Sequence, residues 1–253
     1  MLNVKPVPGL PRVRPGDDLG TLIAAAMRQA RMRLRNGDVL VVAQKVVSKA
    51  EGRMVELSTV EPRAEAVRLA SDVDKDPRLI ELILRESTEV LRTAPGVIVV
   101  EHRLGPVMAN AGIDQSNIRA GDDHEYALLL PENPDASAAG LRGALAARAE
   151  VQNLGVIVND SVGRAWRLGT VGIALGVAGM TALWDLRGER DLFGRELLVS
   201  ETGVADQVAS AAQLVQGEGA EGTPVVRVRG LSQLGPAQTA RALLRPRDQD
   251  LFR

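Results

Sequence analysis

Seventeen consecutive residues, Leu168 to Trp184, carry no charge, and glycine recurs among them at positions 169, 172, 176 and 179. Such a run belongs either in a bilayer or in a protein interior. A bilayer span takes about 20 strongly apolar residues, so this shorter, glycine-rich segment is expected as buried soluble structure. Its steps of three, four and three either align the glycines on one face of a helix or line a strand where other backbone comes close. Both arrangements use glycine to admit a neighbour. The spacing does not match G-x-G-x-x-G, and G-x-x-x-x-G-K-[ST] occurs nowhere in the chain, so a standard Rossmann fingerprint and a P-loop are both absent.

The 253 residues are 45% hydrophobic, enough for a sizeable core. That core is aliphatic, because the only aromatics are Tyr126, Trp166, Trp184, Phe193 and Phe252. They are too few for a platform that stacks single-stranded bases. Lysine and arginine (31) balance aspartate and glutamate (32) and form no basic block, which leaves no nucleic-acid footprint. With no cysteine there are no disulfides, thiolate metal sites or cysteine nucleophile, as fits a cytoplasmic protein. Histidine occurs only at 102 and 124 and neither is given a role, so any metal is held mainly by carboxylate, amide and hydroxyl oxygens. Such sites favour magnesium, manganese or calcium. The N-terminus has no apolar run of signal-peptide length and is broken by four prolines.

Periodicity predicts a helix from Asp17 to Arg35, with Leu19, Leu22, Ile23, Ala26, Met27 and Ala30 as its apolar stripe, then a buried strand from Val39 to Ala43. Asp76-Pro77 starts a second helix running toward Leu91, closed by Pro95-Gly96. Strands are expected at Val97–Val100, Tyr126–Leu130, Gly155–Val158 and Pro224–Val228, and helices at Asn133–Ala149 and Val204–Val215. Without a regular βαβ rhythm, the expected fold is α+β, with two interleaved lobes and mixed or antiparallel sheets.

Four segments carry candidate chemistry. AQKVVSKAEGR (43–53) follows a strand and sets Gln44, Lys45, Ser48 and Lys49 close together, either as a phosphate site or as a solvated charged edge. NAGIDQSN (110–117) and VNDSVGR (158–164) each place an aspartate, Asp114 or Asp160, beside hydroxyl and amide residues in a loop after a hydrophobic run. That is how oxygen-ligand metal sites are presented, and singly it is also how Asx-turns look. QGEGAEGTP (216–224) joins helix to strand. It is either a flexible hairpin after a Gly217 cap or a loop whose amides wrap a nucleotide while Glu218 reaches a metal.

In this order, GLPRVRPGDDL, GDVLVVAQKVVSKAEGR, RESTEVLR, GPVMANAGIDQSN, LPENPDASA, VIVNDSVGRAWRLGTVGIALGVAG and GVADQVASAAQLVQGE resemble the coenzyme F420-0:L-glutamate ligase family, also called F420 gamma-glutamyl ligase. The resemblance covers most of the chain from Gly9 to about Val226. It implies a GTP-dependent enzyme that adds L-glutamate to F420-0, then further γ-linked glutamates, through an acyl phosphate. It also implies magnesium or manganese at two sites, potassium as a further ion, and an intertwined homodimer. On the family's motifs, Asp114 and Asp160 are ligands of one metal, Ser161 and Glu218 of a second, and Lys49, Asp114 and Asp160 are catalytic. GTP contacts fall at Leu10, Pro11, Arg12, Val13, Gln44, Lys49 and Asn117, and along Gln216, Gly217, Glu218, Gly219, Ala220, Glu221, Gly222 and Thr223. The chain is expected to be a single module over 1–253 without the nitroreductase-like domain of some relatives, and to act without nucleic-acid or membrane partners. Two rivals keep the scaffold: an amino-acid ligase for a different carboxylate acceptor, and a non-catalytic deazaflavin- or nucleotide-binding protein.

Overall fold

A computed structural model describes residues 1–115, 125–232 and 234–251. The chain runs β1 (Asn3–Pro6), α1 (Leu19–Gln29), β2 (Asp38–Ala43), α2 (Gln44–Ala50), β3 (Met54–Glu56), α3 (Ala64–Val73), α4 (Pro77–Arg85), β4 (Ser87–Ala94), β5 (Val97–His102), β6 (Val107–Ala109) and β7 (Tyr126–Leu128). It continues through α5 (Pro134–Ala149), β8 (Leu154–Arg164), β9 (Arg167–Ala178), β10 (Leu183–Asp185), β11 (Glu201–Gly203), α6 (Val204–Gln216) and β12 (Val225–Arg229). Among the described residues no helix is long and apolar enough to cross a membrane.

The central sheet has the order β1-β12-β2-β8-β9, with β2 and β8 parallel and every other pair antiparallel. Side chains alternate across a strand, and the two faces of this sheet are covered by different helices. Leu40, Val42, Val156 and Val158 pack on α1 and α5 through Ile23, Met27, Leu141 and Leu145. Val39, Val41, Ile157 and Val228 pack on α6 through Ala205, Val208, Ala209 and Ala212. The fold is thus mixed α and β, with the near-continuous apolar run of β2 explained by burial on both faces.

The uncharged glycine run is strand β9, so the strand alternative holds. A Cβ on Gly172 would stand 2.6 Å from the Ala209 carbonyl oxygen of α6, and one on Gly176 would collide with the Pro134 carbonyl oxygen at the start of α5. Positions four apart in a strand share a face. The register shift between Val158 and Asn159, opposite Gly176 and Ala174, leaves Leu175 as an extra residue and turns the two glycines to opposite faces. The free edge of β9 is closed by side chains: Asp206 Oδ1 accepts the Ala174 N–H at 2.8 Å, and Asp135 Oδ1 accepts those of Val177 (2.8 Å) and Ala240 (2.9 Å).

The elements between α2 and α5 gather around a separate cluster that includes Leu57, Ile80, Ile83, Ile98, Val100 and Ala127. Here β4-β5-β6 form one antiparallel sheet and β3-β7 another. Asp76 caps α4 by accepting the Arg78 N–H at 2.7 Å, with Pro77 in the first turn as expected. The helix does not continue toward Leu91. It ends at Arg85, β4 takes over, and Pro95-Gly96 turns a hairpin (Ala94 faces Val97) instead of closing a helix. The β-branched Thr88, Val90 and Thr93 favour that strand. Likewise α1, capped by Asp18, stops at Gln29 rather than Arg35, because Arg31 is left-handed (φ 53°) and the Met32 N–H bonds back to the Met27 carbonyl at 2.8 Å.

A largely buried ionic joint ties this part of the chain together. The Glu86 carboxylate accepts from Arg53 Nη2 at 2.9 Å and Arg103 Nε at 3.1 Å, and the wholly buried His102 places Nε2 3.5 Å away. Arg53 also donates to the Leu130 carbonyl at 2.9 Å. Although burial opposes ionisation, these partners hold the Glu86 carboxyl down at about 2.

Candidate functional site

Ala43, the last residue of β2, lies in parallel register with Asn159 of β8. Helix α2 starts at the next residue, so its first turns stand beside Asn159, Asp160 and Ser161. Ligands of open α/β sheets gather at such carboxyl ends of parallel strands. The segment Val158–Arg164, expected as a loop, is the outer half of β8. Its polar residues alternate along a strand that pairs with β9 out to Arg164, and Asp160 and Ser161 are therefore held by a ladder opposite Ile173 and Gly172.

Asp114 arrives from the other cluster, fixed by backbone bonds with Leu128 in both directions (3.1 and 2.8 Å). Lys45 of α2 forms an ion pair with it. Lys49, one turn on, has its ammonium pKa lowered by burial and by the like charges of Lys45 and Arg12, with Asp114 opposing. Burial, reinforced by Asp114 and Glu218, pushes the Asp160 carboxyl up to about 7 against the pull of Lys45 and the Ser161 N–H. Glu218 completes the acidic side. Its carboxylate accepts from Ser161 Oγ at 3.0 Å and Thr170 Oγ1 at 3.3 Å, and from the Gln213 amide.

The structure therefore brings together Arg12, Lys49, Asp114, Asp160, Ser161 and Glu218. Leu10 and Val13 pack against the first core, while Pro11 and Arg12 are exposed beside them. Two expected contacts turn inward: Gln44 is buried and accepts from Ser48 Oγ at 2.9 Å, and the Gln216 amide is buried against Asn159. In the loop 217–223, Glu221 folds back to accept the Gly219 N–H at 2.9 Å, so of the two glutamates Glu218 reaches β8. Thr223 Oγ1 donates to the Val215 carbonyl at 2.9 Å, tying the loop's end to α6 across Gly217 (φ 73°), Ala220 and Gly222. Asn117 and His124 lie outside the described residues.

Sequence reasoning gave Lys45 only the phosphate-site or charged-edge reading of its segment, and passed over Asn159, Thr170 and Gln213. A signal existed for Lys45, since an i, i+4 pair with Lys49 puts both ammonium groups on one helix face. The other three are visible only once β8, β9 and α6 are assembled.

Asp114, Asp160, Glu218 and Ser161 offer oxygen only, the donor chemistry of a hard divalent cation. Among the described residues no three His, Cys, Asp or Glu side chains stand close enough to hold a metal ion by themselves. The set fits an ion that takes one or two carboxylates and draws its other oxygens from water and substrate phosphates, as magnesium does.

A protein-family model described as F420-0:Gamma-glutamyl ligase matches residues 9–230. The chain belongs to this family. A coenzyme F420:L-glutamate ligase from Methanopyrus kandleri is 46% identical over 257 residues, covering 100% of this chain and 98% of the relative. One from Methanothermobacter thermautotrophicus is 44% identical over 249 residues (98% and 97% covered), and one from Halorubrum lacusprofundi is 50% identical over 229 residues (88% and 85%). Membership in the F420-0:gamma-glutamyl ligase family bears out the resemblance read from the motifs, and the chain is a ligase by that membership.

Proposed function

We propose that this chain joins L-glutamate to coenzyme F420-0 with GTP as energy source, and then adds further γ-linked glutamates. The observation that carries the reading is the facing of Asp114, Asp160 and Glu218 against Arg12, Lys45 and Lys49 at the shared end of β2 and β8. A triphosphate needs cations, and the metal that accompanies it needs carboxylates; Lys45 and Lys49 on α2 and Asp160 on β8 supply both from regular elements. An acceptor carboxylate oxygen attacks the γ-phosphorus, GDP leaves, the glutamate amine attacks the resulting acyl carbon, and phosphate departs as the amine loses its proton.

In that sequence Lys49 and Arg12 hold phosphate oxygens as fixed positive charge. Lys45 pairs with the Asp114 carboxylate and orients it. Asp114 and Asp160 would hold one magnesium or manganese ion, and Ser161 and Glu218 a second, supplying neutralisation of phosphate charge. Potassium as a further ion, a homodimeric unit and a cytoplasmic setting belong to the same reading.

The test is a mass spectrum of the deazaflavin after incubation of the protein with F420-0, L-glutamate, GTP and manganese, beside a control without GTP. A ladder of glutamyl additions that requires GTP is the expected result. No mass change from a protein that still binds the precursor points to another acceptor or to a binding protein, and overturns the proposal.

A further inference from the structure

The loop that carries Glu218 is anchored inside the protein by two amide side chains. Asn159 and Gln216 are 3% and 8% exposed and bond reciprocally: Asn159 Nδ2 donates to Gln216 Oε1 at 2.8 Å, and Gln216 Nε2 donates to Asn159 Oδ1 at 3.1 Å. Gln216 Nε2 also donates to the Pro224 carbonyl at 3.3 Å. Gln216 ends α6 and Pro224 precedes β12, so the two ends of the loop 217–223 meet at one point. The Pro224 carbonyl accepts the Ala43 N–H at 2.8 Å as well, at the place where β2 passes into α2.

We infer that the Asn159–Gln216 amide pair is a positioning clamp that sets the loop 217–223, and Glu218 with it, against Asp160 and Ser161. Asn159 directly precedes Asp160 in β8, so one strand holds both the clamp and the groups it aligns. The contacts that Glu218 itself makes, to Ser161, Thr170 and Gln213, are open to solvent and weak constraints by comparison. A buried amide pair is directional: each group must present a donor to the other's acceptor, which fixes register as well as distance. The Gln216 side chain is thereby used inward, and its effect on a nucleotide comes through the loop it places. That last consequence rests on the ligase reading; the clamp itself does not.

The test compares Asn159→Leu, Gln216→Met and the double variant, by amide hydrogen exchange of residues 217–223 in the free protein and by steady-state kinetics. Each single variant is expected to speed loop exchange about tenfold and raise the KM for GTP about tenfold, with the KM for L-glutamate changed less than about twofold. The double variant should match the worse single one, because both changes break the same contact. If Asn159→Leu does not fold, Gln216→Met at the end of α6 carries the test. Unchanged loop exchange in the variants that fold overturns the clamp. Faster exchange with an unchanged KM for GTP overturns its role toward the nucleotide. A wild-type protein that makes no glutamyl product counts against the ligase reading alone, and the exchange result still decides the clamp.

Discussion

Replacing Glu86 by glutamine keeps the shape of the buried joint and removes its charge. The carboxyl is held at about 2 against an ordinary 4.5. At about 1.4 kcal/mol for each tenfold change in proton affinity, that depression is about 3 kcal/mol. Glu132, 67% exposed on the far side of Arg53 and Arg103, admits solvent to the joint, and screening reduces the figure to about 2–3 kcal/mol. Because the folded-state value lies below the unfolded one, the contribution is complete above about pH 4.5 and is lost as the pH falls through about 2. Urea unfolding should therefore show Glu86→Gln less stable than wild type by about 2–3 kcal/mol at pH 7, with the gap smaller by about 1–1.5 kcal/mol at pH 3.5. A gap of equal size at both pH values, or none at pH 7, refutes the reasoning.

Gly176→Ala should cost about 2–3 kcal/mol in denaturant unfolding, because its Cβ meets rigid backbone at Pro134 and Asp135. Gly140→Ala on α5 meets nothing and should stabilise by about 0.5–1 kcal/mol. Arg229→Met strips the wholly buried Asp38 of bonds at 2.6 and 2.7 Å, and thermal unfolding should register a loss of about 3 kcal/mol. Asp160→Ala should abolish glutamyl transfer while leaving the circular dichroism spectrum unchanged; full activity in that variant would sink the metal assignment.

Helix starts were legible where a cap and a first-turn proline coincide, as at Asn133-Pro134 and Asp76-Pro77. Helix ends were less so. The left-handed turn at Arg31 involves no glycine, and the switch from α4 to the strand after it is marked by the β-branched Thr88, Val90 and Thr93 but by no glycine or proline. Asp160 and Ser161 read as a loop because polar residues following an apolar run usually are one; here β9 supplies a partner strand that lets the ladder continue past the core. The glycines of β9 fitted a helix face and a strand equally, and the choice was made by two helices approaching from opposite sides and by one extra residue at Leu175. Individual site residues were visible in their motifs. Their convergence was implied by the family resemblance and not by the motifs themselves, since Asp114, Asp160 and Glu218 sit on three distant segments that the folded sheet unites.

The strand order has a consequence for how the chain acquires its structure. Strand β2 is made early, but both of its neighbours, β8 and β12, come more than a hundred residues later, whereas β4, β5 and β6 between α2 and α5 pair locally. During synthesis the intervening cluster can collapse first, while the apolar DVLVVA segment waits with two bare edges. The sheet closes only when β12 slides between β1 and β2, bringing residues 3–6 against 226–229. Such distant closure makes for slow folding, and it seats the first strand of the chain beside the last, residue 3 against residue 229.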